Sequence, residues 1–225
     1  MNKLEKLEKQ YKKLGEEIEK LKKEKEEINL YDLFEFGGFE WYVIAKDNDN
    51  LTLLMKDKLT SNQMTKYFDR KLLDGDYDIP FNQNSSNVWC DSQIRMALNS
   101  KFLEELDTTK MRLMATTLIS HNKEYITKDY VRLLTKEELD KLPNDILKCS
   151  GQYGYWTMSP SSYGHSNHVW FVYSAGSLNS NYASNSNGVR PVIYLTSDII
   201  DACEITEVNG SNGLVNKRVW RVTNE

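Results

Sequence analysis

Three histidines and three cysteines are the first places to look for chemistry in this chain. His165 and His168 stand three apart in "GHSNH", a spacing that two ligands of one metal could use. No third ligand accompanies them, and catalytic and structural metal sites need three or four. Serines surround the same pair, as around a nucleophile and its base. Yet no Gly-x-Ser-x-Gly elbow is present, and no Asp lies in the tract to orient an imidazole. Cys90, Cys149 and Cys203 are far apart, without a Cys-x-x-Cys or a zinc spacing. They read as buried thiols of a reducing compartment. No Walker A loop and no Gly-x-Gly-x-x-Gly occurs. These residues predict no catalytic group, no metal and no cofactor.

The unusual chemistry is non-covalent. Between Lys148 and Arg190 there is no Asp, Glu, Lys or Arg. At a background of about one charged residue in four, a run this long from a given start has a chance probability on the order of 10⁻⁵. Disorder is a poor account of it, because Trp156, Trp170, Val172, Leu178 and Val189 punctuate it at regular spacing. In "HVWFVYSAGSLNSNY", Trp170 and Val172 point to one side of a strand and Val169, Phe171 and Tyr173 to the other. Gly176 can supply a hairpin turn. Ordinary outward faces carry Lys, Glu, Arg and Thr; this one carries Ser, Asn, Tyr, His and Gly, close to the composition of antibody paratopes. Tyr and Phe give rigid contact area, and short polar side chains lose little entropy on binding.

The rest of the chain must position that tract. Its 225 residues, 28% charged and 40% hydrophobic, suit one good-sized domain plus an appendage. A net charge of −4 offers no general attraction to nucleic acid or anionic membrane. No run of 18 apolar residues and no signal-peptide h-region is visible. Residues 1–29 carry a heptad pattern with Leu4, Tyr11, Ile18 and Lys25 at a and Leu7, Leu14, Leu21 and Ile28 at d. That narrow stripe predicts a coiled coil, self-associating through residues 4–28 as a dimer or trimer. "FEWYVIAKD" and "NLTLLMKD" read as strands joined by a "DNDN" turn. "VWCDSQIRMALNSKFLEEL" reads as a helix capped by Asp91 or Ser92, with Ile94, Leu98 and Phe102 on one face. "YVRLL" reads as a strand, followed by a helix with Thr135 and Glu138 as capping box and Pro143 as stop. "CEITEV" and "LVNKRVWRV" read as a closing hairpin over 199–225.

The segments "WYVIAKDNDNLTLLMKD", "VWCDSQIRMALNSKFL", "VRLLTKEEL", "GYWTMSP" and "GVRPVIYL" occur in that order. Together they resemble a family of bacterial and phage domains with a C-type-lectin-like fold, related to the formylglycine-generating enzymes. Members include variable proteins of diversity-generating retroelements. The resemblance covers about residues 31–198 and leaves the N-terminal heptads outside. It implies an α+β, C-type-lectin-like body, led here by the N-terminal coiled coil. It further implies a gene whose 3′ part is rewritten at template adenines, so that Asn codons become many residue types but never Lys, Glu, Gln, Met or Trp. Between Ser159 and Asn187 none of these five occurs except Trp170. Asp and Arg would be reachable and are absent, so codon chemistry does not explain the whole gap.

On that resemblance the variable region is about 159–187. Tyr163, His165, Ser166, Asn167, His168, Phe171, Tyr173, Ser174, Ser177, Asn179, Asn181, Tyr182 and Ser184 are the ligand-facing candidates. Trp156, Pro160, Trp170, Val172, Gly176, Leu178 and 188–193 are scaffold, with Arg190 anchoring the fold through backbone or carboxylate hydrogen bonds. The calcium-binding motifs of sugar-binding lectins are missing, and Cys149 and Cys203 do not match the paired cysteines of the formylglycine-generating enzymes. The expected function is therefore display: a non-enzymatic protein binding a macromolecular surface ligand, a host protein above all. Its expected place is a phage virion or tail, or the host cytoplasm before assembly. The alternative is a bacterial or phage interaction module of the same fold with a fixed partner.

Overall fold

The computed structural model describes residues 3–25, 27–69, 71, 73, 78–161, 167–208 and 217–223. A helix, α1 (Lys3–Lys25), leads into a meander of β1 (Leu33–Phe36), β2 (Phe39–Lys46) and β3 (Asn50–Met55). Next come α2 (Ser61–Tyr67), the short β4 (Ile79–Pro80) and a helical run over 89–105 that contains α3 (Gln93–Ala97). The hairpin β5 (Met114–Ser120) and β6 (Lys123–Asp129) precedes β7 (Val131–Arg132), α4 (Lys136–Leu139) and α5 (Asn144–Leu147). The chain ends with β8 (Tyr155–Ser161), β9 (His168–Val172), β10 (Leu178–Tyr182), β11 (Ser186–Asn187), β12 (Val192–Thr196), β13 (Cys203–Val208) and β14 (Lys217–Val222).

The main sheet has the order β13-β14-β1-β2-β3-β12-β7. Only local pairs were readable as hairpins; β14 instead joins β1 in parallel, with Phe34 opposite Trp220, so the C-terminal hairpin extends the sheet. The β1–β2 turn is Gly37-Gly38, both at positive φ, as a two-residue hairpin demands. A Cβ on Gly37 would also sit 2.3 Å from Leu106 Cδ2. At the β2–β3 turn, Asp47 Oδ1 accepts the amides of Asp49 and Asn50, each at 2.8 Å. The middle strands are buried on both sides. Leu53 and Ile193 enter the larger apolar cluster, while their neighbours Leu54 and Val192 enter a second one with Leu134, Tyr155 and Val172. Two-sided burial explains why "LTLLM" and "VIYL" are nearly continuous apolar runs.

Several expectations are corrected. Strand outweighs helix, 38% against 29%, and the helices of the body are short, so the expected α+β lectin-like body with a coiled coil is replaced by a mainly β molecule. α1 is a solitary helix: Leu4, Leu7, Tyr11, Leu14 and Ile18 are all exposed, and among the described residues no second helix lies along it to form holes for them. Ile28, read as a d position, is 3% exposed in the domain core. The chain around it is tied down by Lys46, whose Nζ donates to Ile28 O at 2.9 Å and Glu27 Oε1 at 2.8 Å. The side chains of Leu21 and Lys25 lie outside the described residues.

The helix expected over 88–106 is broken into α, π and 3₁₀ turns. Ser92 is its cap, accepting Arg95 N, and Ile94, Leu98 and Phe102 are fully buried. Asn99 causes the break. Its Oδ1 accepts Tyr130 N and Val131 N, both at 3.1 Å, and its Nδ2 donates to Val131 O at 2.7 Å. The carboxamide thus completes the free edge of β7 as a strand would. Thr135 and Glu138 form the expected capping box, but Pro143 stands at the N-cap of α5 rather than ending α4. The stretch 109–125 falls largely in the β5–β6 hairpin. Among the described residues no helix is long and apolar enough to cross a membrane.

Two arginines knit the layers. Arg190 is fully buried. Its Nε donates to Met55 O (2.8 Å), one terminal nitrogen to Lys56 O (2.7 Å), and the other to Ile146 O (2.9 Å), Leu147 O (3.3 Å) and Tyr155 Oη (3.1 Å). Burial pushes the Tyr155 phenol up to about 12 despite that guanidinium, so it stays a neutral hydroxyl. Arg132 is 2% exposed and holds Glu138 with both terminal nitrogens and Tyr194 Oη with Nε at 2.6 Å. Burial raises the Glu138 carboxyl, but the Arg132 guanidinium and the Thr135 cap outweigh it and hold it below its ordinary value.

Arg190→Met orphans several buried carbonyls and should cost about 3–5 kcal/mol in urea unfolding, at about 1–3 kcal/mol per orphaned group. Arg190→Lys should recover little of that, because three donors on one atom cannot span the same carbonyls. The Glu138 pKa is lower folded than unfolded, so its contribution is present above about pH 4.3 and lost as pH falls through the folded value. Unfolding curves between about pH 3 and 7 should therefore show Glu138→Gln clearly less stable than wild type at neutral pH, with the gap closing on acidification.

Candidate ligand-binding face

The uncharged tract folds as the three-stranded sheet β10-β9-β8, with β10 at its edge. β9 and β10 pair antiparallel, Val172 opposite Leu178 and His168 opposite Tyr182. Their turn is fixed from outside. Gly176 has φ +92, and a Cβ there would sit 2.2 Å from Asn144 Oδ1, so only glycine lets the turn lie against α5. Gly176 N donates to Tyr173 O and Tyr173 N to Ser177 O, both at 2.8 Å. At the other end Asn87 bridges to the β5–β6 hairpin: its Nδ2 donates to His168 O (3.1 Å), and its Oδ1 accepts Ser120 Oγ (2.8 Å).

Strand alternation divides the candidates between two sides of this ribbon. On one side Tyr173 is 44% exposed, rests edge-on against Phe171 with centroids 4.7 Å apart, and accepts Asn179 Nδ2 at its hydroxyl (3.0 Å). Asn181 follows on that side and accepts Asn185 Nδ2 at 2.6 Å. On the other side Tyr182, 43% exposed, meets the His168 ring at 4.1 Å, and His168 Nδ1 lies 3.4 Å from Ser180 Oγ. Asn179 and Asn181 have a further task. Their Oδ1 atoms accept the amides of Ser180 (2.8 Å) and Tyr182 (3.0 Å), so the outer N–H groups of the edge strand are satisfied within the strand.

Most of the expected ligand-facing residues do gather on or beside this ribbon. Tyr173, Ser177, Asn179, Tyr182 and Ser184 are exposed; Asn167, His168, Ser174 and Asn181 are half-buried. Tyr163, His165 and Ser166 lie outside the described residues. Phe171 is corrected: it is 5% exposed, in edge-on contact with Trp156 in the main core, because its side of β9 faces inward at that register. Trp170, read as scaffold, is only half-buried; it lies beside Ser180 with Lys136 Nζ 5.7 Å from its ring centroid. Sequence reasoning missed Ser180 and Lys136. The parity of β10 could have found Ser180, which shares a side with Tyr182. Nothing in the tract points to Lys136, which comes from another part of the chain.

Ser120 and His121 are 2.9 Å apart, closer than the 3.4 Å between Ser180 and His168. Ser120 already donates to Asn87 Oδ1, so it can only accept from His121, the reverse of an activated nucleophile. His121 and Asn122, both at positive φ, simply form the hairpin turn. The three cysteines are free and half-buried, and burial raises each thiol, that of Cys203 to about 12, so none is a ready thiolate. The division between core and face predicts unequal costs in urea unfolding. Phe171→Ala should lose about 3–5 kcal/mol, whereas Tyr173→Ala and Tyr182→Ala should each lose under about 1.5 kcal/mol.

No curated protein and no solved structure matches this chain. The model of one family matches residues 49–197, a span that includes β3, the Arg190 anchor and the whole β8–β10 ribbon. The chain belongs to that family, described as a domain of unknown function, DUF6273.

Proposed function

We propose that this protein is a display protein that binds a macromolecular partner, a protein surface above all, through the β9–β10 ribbon and its flanks. One observation carries the reading: an edge hairpin whose exposed side chains include Tyr173, Ser177, Asn179 and Tyr182, with no charged residue, is held by a turn and core built from other residues. Tyr173 and Tyr182 supply rigid, half-exposed aromatic area, and the asparagines and serines around them supply adaptable hydrogen bonds. The origin of that composition, in this proposal, is a diversity-generating retroelement acting on the gene of a phage or prophage protein that recognises a host surface.

Deep sequencing of the gene in a growing population tests this. Substitutions should concentrate at codons for Tyr173, Ser177, Asn179, Asn181, Tyr182 and Ser184 and spare those for Phe171, Val172 and Gly176. Equal variation inside and outside codons 159–187 would sink the retroelement origin. A second reading, a module with one fixed partner, is favoured by Asn179 and Asn181, whose side chains close main-chain hydrogen bonds and so are not freely exchangeable. A constant tract with no neighbouring reverse transcriptase gene would select it.

A further inference from the structure

A cleft distinct from the ribbon face lies between segment 58–61 and loop 150–153, with a volume of about 500 Å³. Small-molecule sites commonly span about 300–1,000 Å³. Lys58 lies in its wall and is only 9% exposed. Its stem is held by close approach to glycine: a Cβ on Gly188 would sit 2.7 Å from Lys58 Cδ, and one on Gly151 3.5 Å from its Nζ. The ammonium has three donors. One goes to Tyr153 O at 2.8 Å, and among the described residues no other acceptor and no carboxylate within ion-pair distance takes the rest. The adjacent Asp57 is already engaged, its Oδ1 accepting the main-chain amides of Lys58 (2.8 Å) and Ser150 (2.9 Å).

A buried ammonium without a counter-charge is costly, and proteins ordinarily pair it. Here the walls that could pair it carry the hydroxyls of Ser61 and Ser150 and the half-exposed ring of Tyr153, and no acid. We propose that this cleft binds a small organic anion, a carboxylate or phosphate group accepting the two uncommitted Lys58 donors while the Tyr153 ring covers the ligand's body. The site does not rest on the display reading, since none of its residues belongs to the β9–β10 ribbon.

Titrating the ¹⁵N-labelled full-length protein with sodium phosphate and, separately, sodium acetate at constant ionic strength tests the proposal. Saturable shifts of the amides of 58–61 and 150–153 with either anion are expected. Phosphate alone would identify a phosphate-bearing ligand, and acetate alone a carboxylate. Lys58→Met keeps the stem and removes the charge, and should weaken binding about tenfold or more. Ser150→Glu, at an exposed position, puts a carboxylate at the mouth and should do the same; it decides the matter alone if Lys58→Met does not fold. Shifts that do not saturate, that spread over surface lysines, or that persist in Ser150→Glu would overturn the proposal.

Discussion

The guanidinium of Arg190 is the constraint on which the arrangement depends. It is a full charge with no carboxylate partner, stabilised by four main-chain carbonyls and the Tyr155 hydroxyl. Those acceptors come from the end of β3, from α5 and from the start of β8. Carbonyl dipoles solvate a cation only when they converge, so the charge dictates where three separate stretches of chain must stand. The adjoining main chain follows: Met55 N donates to Pro191 O and Leu59 N to Val189 O. Both the ribbon and the Lys58 cleft are thereby set on one foundation. A polar anchor of this kind favours a single register over slippage, which an all-apolar junction between sheets would resist less.

The ribbon shows how one strand can serve core and surface together. β9 sends Val169 and Phe171 into the main cluster and Val172 into the second, leaving His168, Trp170 and its neighbour β10 partly exposed. β10 contributes no fully buried side chain, only the half-buried Leu178, Ser180 and Asn181. The stabilising burden thus falls on β8 and β9, and the outward composition of β10 is released from it. The price is a split surface: Tyr173 and Tyr182 project on opposite sides, so a partner must either wrap the hairpin or use one side and its flank.

Much of the fold was legible where the cause is local. Alternation marked β9, apolar runs marked β3 and β12, and Asp91 or Ser92 and the Thr135–Glu138 pair announced helix starts because caps act within one turn, Ser92 being the one that caps. Arg190 could be read as an anchor since a lone charge inside an apolar strand must find acceptors. The failures have non-local causes. The parallel pairing of β14 with β1 joins residues far apart in sequence, and hairpin logic cannot see it. Ile28 fits a heptad as well as it fits a domain core, and spacing does not distinguish them. Asn99 looks like an ordinary helix residue until the edge of β7 arrives beside it. In the candidate site, composition found the ribbon, but only register could show that Phe171 turns inward. Lys58 carried no signal at all, because its burial depends on Gly188 and Gly151, remote in the chain.

The edge of β10 has a further consequence. An unpaired edge strand is ordinarily a nucleus for sheet growth, and a polar, low-charge sequence such as "SLNSNYASNSN" resembles the segments that stack into fibres. Charged gatekeepers, the usual safeguard, are absent here. Asn179 and Asn181 replace them by folding their own carbonyl groups over the outward amides, leaving an incoming strand no donors at those two steps. The hairpin thus stays uncharged while two of its outward amides are already occupied, a protection written into two side chains rather than into net charge.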